Sequence, residues 1–194
     1  MLSFHNDIEI KRKYVARTEA HRKADEIIRG TGWKNGRGCA VGCTLEAYDH
    51  TRYSIELGIP EWLARVEDTL FEGMSIEGAT LWPSEFLLAV PVGITENQFT
   101  HNVKAPFLVM VLESALATFD HAANPRCADA MRGSIALWKR DDIGSTAFAE
   151  EARSAARSAA WSAEAAEAAW SAARSASYDY FADELLKLLA TSNR

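Results

Sequence analysis

Apolar residues recur at helical spacing along most of the chain. Ile10, Tyr14, Ala24 and Ile28 share one face between Asn6 and Arg29. Asn6 with Glu9 three residues on reads as a capping box, Asp7 sits in the favourable first turn, and Gly30 supplies a stop. The pattern predicts a helix that reaches Arg29. The stretch "GTGWKNGRG" reads as loop because glycines and an Asn punctuate it. Asp49 is placed to cap a short helix through Leu57, stopped at Gly58. Pro60 opens "PEWLARVEDTLFEG", with Trp62, Leu63, Val66, Leu70 and Phe71 as its inner side and Gly73 as terminator. "WPSEFLLAVPVG" predicts a short helix begun by Pro83 and broken before Pro91. Residues 105–119, "APFLVMVLESALATF", are apolar all round and predict the central core helix, with a buried strand as the competing reading. Asn124-Pro125 begins a further helix to about Lys139, and "RDDIGS" is a hinge.

From Ser145 the pattern changes. The last fifty residues hold seventeen Ala and neither Gly nor Pro. Alanine is the strongest helix former, so one helix of roughly 45 residues, about 67 Å long, is expected. "AAWSA" occurs twice and "ARSA" three times. A 4-3-4-3 seam runs through Ala152, Ala156, Ala159, Ala163, Ala166, Trp170, Ala173, Ser177 and Tyr180. Small residues bury little area but let another helix approach closely. The seam therefore predicts packing along the body, a helical hairpin, or pairing with a second copy in a homo-oligomer. The bulkier "YFADELLKLLA" should anchor one end.

The expected fold class is mainly α: a compact helical domain over residues 1–144, then the Ala-rich helix or hairpin over 145–194. A short strand pair near 39–45 is the one β element foreseen.

Charge narrows the partners. The net charge is −6, yet residues 1–53 carry ten Lys/Arg against seven Asp/Glu, and residues 54–144 six against thirteen. No whole face is basic, which excludes general nucleic-acid binding. No apolar run is long enough to span a bilayer, and no secretory leader is visible, so no membrane partner and a cytoplasmic location are expected. Three cysteines fit free thiols in a reducing compartment.

The chemistry concentrates in "RGCAVGCTLEAYDH", residues 37–50. Cys39, Cys43 and His50, with His5 or His21 as a fourth, are donors of the types zinc takes. The C-x₃-C spacing is not the common knuckle and no second pair follows, so no metal site is expected. Cys43 activated by His50 would make a hydrolase or transferase, with the glycines opening backbone N–H groups to an oxyanion. Cys-His partners usually come from separate segments, however, and the opposing reading makes both cysteines small buried hydrophobes. A third reading is an anion pocket. Trp33, Lys34, Arg37, His50, Arg52 and Tyr53 lie within twenty-one residues of glycine-rich backbone, and Arg17 and His21 join from the first helix. Cations with free N–H groups suit phosphate, and aromatic faces suit a nucleobase. Arg17 and His21 lie on a core-facing stripe, so they need partners or a ligand. The opposing reading leaves them at its edge, with Arg17 reaching to water.

"FHND", "GRGCAVGCTL", "YDHTRYSIELGIPEWLARVEDTLFEGM" and an Ala-rich helix ending in "LLKLLA" together resemble a phage- and prophage-encoded protein family without assigned catalytic residues. The resemblance covers nearly the whole chain. The tail repeats depart from it, carrying Ser and Trp where the family often has Tyr or Asp. It implies action inside a bacterial host cell, and it transfers no catalytic residue. The expectation is a non-enzymatic binding protein that counters a bacterial defence system. It would do so by sequestering a small anionic, nucleotide-like signal or by occluding a host protein. No cofactor is expected. A structural or assembly role for the tail is the further alternative.

Overall fold

A computed structural model describes residues 1–118, 125–160 and 174–193. The described residues form a mainly α fold with one short antiparallel hairpin. They divide into two compact units, Met1–Phe99 with Ser175–Arg194, and Thr100–Arg174. The change in composition at residue 145 falls inside the second unit, while the end of the chain belongs to the first.

The first unit opens on a left-handed turn, with Phe4, His5 and Asn6 all at positive φ. Each such L-residue is strained by about 1–2 kcal/mol. The turn persists because Ser3 is tied on both sides to residues 91–94 and Phe4 is fully buried. Asp7, rather than Asn6, caps α1 (Ile8–Lys23) by accepting from the Glu9 amide. The helix ends one and a half turns before Arg29, because Asp25 turns left-handed and the next residues pair elsewhere. Ile27 bridges Gly38 in parallel, with Ile28 N–H donating to Gly38 O and Gly38 N–H to Glu26 O. A strand-like edge captures residues that periodicity assigns to the helix. The inner face of α1 is Tyr14, Thr18 and His21, while Ala24 is exposed.

The β element lies earlier than residues 39–45. β1 (Trp33–Lys34) pairs with β2 (Arg37–Gly38) around Asn35 and Gly36, both at positive φ, the requirement of a two-residue hairpin turn. Residues 39–45 are neither strand nor loop: Cys39 starts α2 (Ala40–Leu45), and all six helical residues are buried. This small helix is the centre of the unit, touching α1, α3 (Glu61–Gly73) and α4 (Ile76–Ala89). The glycines of the motif allow that fit. A Cβ at Gly42 would stand 1.8 Å from Gly32 O, and one at Gly32 would strike the Tyr48 ring.

Asp49 caps a tight helical turn over 51–57, and Gly58 stops it at φ 61. α3 follows Pro60 as expected. Its inner side holds Leu63, Leu70 and Phe71, but Trp62 and Val66 are half-buried, and Glu67 and Asp68 turn inward instead. α4 begins a full two turns before Pro83, which lies inside it. Ser75 caps this helix, and Asp179 in turn accepts from Ser75 N–H. Burial of Ala79, Trp82, Phe86 and Leu87 outweighs the hydrogen bond Pro83 cannot make. Lys11 on α1 donates to the last carbonyls of α4, Leu88 O and Val90 O, each at 2.7 Å. A single turn, α5 (Glu96–Gln98), carries a complete Thr95–Gln98 capping box.

In the second unit α6 (Ala105–Thr118) packs on α7 (Pro125–Trp138), and α7 on α8 (Thr146–Ala160). Residues 105–118 are helical, yet they are not the central core. Among the described residues of that helix Ala105 and Phe107 are buried, and residues 108–112 are half-buried. The largest fully buried side chains belong to the first unit. The "RDDIGS" hinge is a turn, with Gly144 at φ 96 and Ser145 capping α8 through Phe148 N–H.

α9 (Arg174–Thr191) supplies the expected anchor: Phe181, Ala182, Leu185 and Leu189 are buried in the first unit, and Tyr178 covers Gly73. Residues 161–173 lie outside the described residues, as do the side chains of 155–176. The continuous 45-residue helix and most of the Ala seam therefore fall there. No described helix is long and apolar enough to cross a membrane.

Candidate functional site

The basic and aromatic residues of the first third separate into two groups around α2. On the α1 side, Arg17 Nη1 donates to Thr44 O at 2.9 Å, satisfying a carbonyl at the end of α2, and Nη2 lies 3.6 Å from Glu46. His21 is 9% exposed, bonds Glu26 through Nδ1 at 2.6 Å and meets the Trp33 ring edge-on at 5.3 Å. These are the partners a core-facing cation and imidazole need. Both are contributed by the chain itself. Arg52 pairs with Glu56, which also accepts from the Tyr14 hydroxyl. Burial alone would raise the Glu56 carboxyl, but the Tyr14 and Arg52 bonds outweigh it and hold it below the usual range. Tyr14 itself is pushed up to about 12, by burial first and then by Glu56.

Lys34 and Arg37 stand exposed on the hairpin, where Arg37 bonds the Asp25 carbonyl. His50 is on the other side, bonding Asp68 Oδ2 through Nε2 at 3.1 Å. Tyr53 is fully buried and cannot present its ring to a surface ligand. Of the eight residues expected to line a pocket, Arg17, His21 and Trp33 are brought together, with Arg52 near Arg17 across Tyr14 and Glu56.

The cysteines do not form the dyad that thiol catalysis requires. Cys43 Sγ points at two carbonyls, Gly38 O at 3.3 Å and Glu26 O at 3.7 Å. Burial pushes its thiol up to about 12, and burial likewise raises Cys39. Cys43, facing carbonyls and raised by burial, is therefore not poised as a nucleophile.

A different cluster surrounds Cys39. Asp68 and Glu72 are one turn apart on α3, and among the described residues Cys39, Asp68 and Glu72 form the group of potential metal donors. Their ligand atoms lie within 4.8 Å of one another. Cys43, His5 and His21 are not in it. Tyr48 OH at 2.8 Å and His50 hold Asp68 Oδ2, whereas Asp68 Oδ1 is buried without a hydrogen-bond partner. Glu72 accepts from Gly30 N–H through both oxygens. Behind them Glu67 is fully buried and faces the Tyr53 hydroxyl, which also faces Thr44, though none of these groups meets strict hydrogen-bond geometry. Burial drives Glu67 well above the ordinary carboxyl range. The sequence reading missed these acids because "VEDTLFEG" looks like a solvated helix face. The available signal was the four-residue spacing of Asp68 and Glu72 on an otherwise apolar side.

Comparison with family models, curated proteins and solved structures returns no match.

Proposed function

We propose that the protein acts by binding rather than by turnover, as a phage-type protein that occludes a host protein and so counters a bacterial defence system. The paired, neutral state of Cys43 supports binding over a Cys43/His50 hydrolase or transferase. Capture of a small nucleotide-like anion calls for cationic groups free to receive its charge. Arg17, His21, Arg37 and Arg52 are already engaged by Glu46, Glu26, the Asp25 carbonyl and Glu56. That weighs toward occlusion.

The observation that carries the reading is the outer face of α4. Leu81 and Leu88, a heptad apart, are 44% and 57% exposed, with Glu77 and Glu85 exposed beside them. An apolar stripe edged by carboxylates fits a groove with a basic rim. The resemblance to phage proteins supports a host protein as the owner of that groove.

The test is affinity purification of the wild type and a Leu81→Asp/Leu88→Asp variant from bacterial cells, with native mass spectrometry of both. A host protein retained by the wild type and lost by the variant is the expected result. A small anion retained instead, and released by Arg17→Ala, would overturn occlusion in favour of capture.

A further inference from the structure

We propose that Cys39, Asp68 and Glu72 form a binding site for a thiophilic divalent cation of the zinc class, with His50 and Tyr48 orienting Asp68. The donor set mixes one sulfur with two carboxylates, which suits zinc and not magnesium or calcium, since those take oxygen ligands alone. Tetrahedral zinc with bonds of about 2.3 Å to sulfur and 2.0 Å to oxygen places its ligand atoms roughly 3.5 Å apart. The three donors already lie within 4.8 Å, so closure takes about an ångström of side-chain movement.

The two carboxylates are held as ligands generally are. Tyr48 and His50 take one oxygen of Asp68, which leaves Oδ1, in a residue 9% exposed, without a well-formed hydrogen bond and the carboxylate otherwise faced by the weak S–H donor of Cys39. A buried carboxylate oxygen served at best by a weak thiol donor is under-satisfied, and a cation that displaces the Cys39 thiol proton to solvent satisfies both groups. Gly30 N–H holds Glu72, whose exposure gives the ion a route in from solvent. Two like charges one turn apart on α3 repel each other, and a bound cation reverses that repulsion. None of this depends on the α4 face or on any host partner.

The experiment uses the full chain, stripped with chelator and titrated with Zn²⁺ against a chromophoric competitor, with Mg²⁺ as control. One Zn²⁺ per chain is expected, with no competition from Mg²⁺. Cys39→Ser should weaken binding by roughly 100-fold or more, and His50→Ala by roughly 10- to 100-fold. Cys43→Ser should leave the affinity unchanged. Cobalt substitution should give a thiolate charge-transfer band that Cys39→Ser abolishes. Glu72→Gln changes an exposed side chain, so it reports on binding where a buried substitution disturbs folding. Absence of stoichiometric Zn²⁺ uptake would overturn the site. So would unchanged affinity in Glu72→Gln together with a cobalt–thiolate band that survives Cys39→Ser.

Discussion

Gly42→Ala is the sharpest probe of how the first unit is built. In an open helix this exchange stabilises by about 1 kcal/mol, because alanine is the better helix former. Here the new Cβ would stand 1.8 Å from Gly32 O and 3.0 Å from Gly32 C. The obstacle is backbone, so no side chain can rotate away. α2 has α1, α3 and α4 around it and has no free direction in which to retreat. Gly32 O also accepts from Cys39 N–H at 3.1 Å, so displacing the loop lengthens that bond. Overpacking a buried site costs about 1–3 kcal/mol, and a lost hydrogen bond about 1 kcal/mol more. After the propensity gain, the net loss is about 1–3 kcal/mol. Gly133→Ala, on an exposed position of α7 with nothing within 4 Å, is the matched control and should gain about 1 kcal/mol. Urea denaturation followed by circular dichroism measures both. A Gly42→Ala protein as stable as the wild type would refute the close seating of Gly32 on α2.

Two further outcomes follow from the same geometry. Cys43, buried and raised to about 12, should resist a thiol reagent at pH 8 until the chain unfolds, and Cys43→Ala should keep whatever binding the wild type shows. Rapid modification of Cys43 in the folded protein would restore the thiol-enzyme reading. Tyr14, also raised to about 12, holds its proton more tightly when folded than an unfolded tyrosine near 10. Its contribution is whole below about pH 10 and is lost as pH climbs from there through about 12. Tyr14→Phe should therefore lose stability less steeply than the wild type between pH 10 and 12. Parallel denaturation curves would show that burial and Glu56 do not hold the phenol proton.

Local signals specify the helices wherever the chain carries them strongly. Asp49 and Gly58 bracket their turn, Pro60 opens α3, Ser145 starts α8, and the bulky tail of α9 buries Phe181 and Leu185 as its composition requires. Propensity, capping and stop residues act over a few neighbouring positions, so one sequence window contains all they need. The mainly α class is legible for that reason. The early end of α1, the passage of α4 through Pro83 and the half-buried setting of α6 were not. The first two depend on what other segments offer: Gly38 to residues 26–28, and Asp179 to Ser75 with the burial of Trp82 and Phe86.

Residue types along the sequence marked 37–50 as chemically rich, and α2 is indeed the hub. Residue types alone could not say which side chains would meet. Tertiary packing set Arg17 and His21 against carboxylates, turned Cys43 toward carbonyls, and joined Cys39 to Asp68 and Glu72 from a helix some thirty residues away. Pairing between charges falls off within a few ångströms, whereas the sequence fixes only the spacing along one element. Which acid neutralises which base is decided by how helices cross, and that decision belongs to the folded chain.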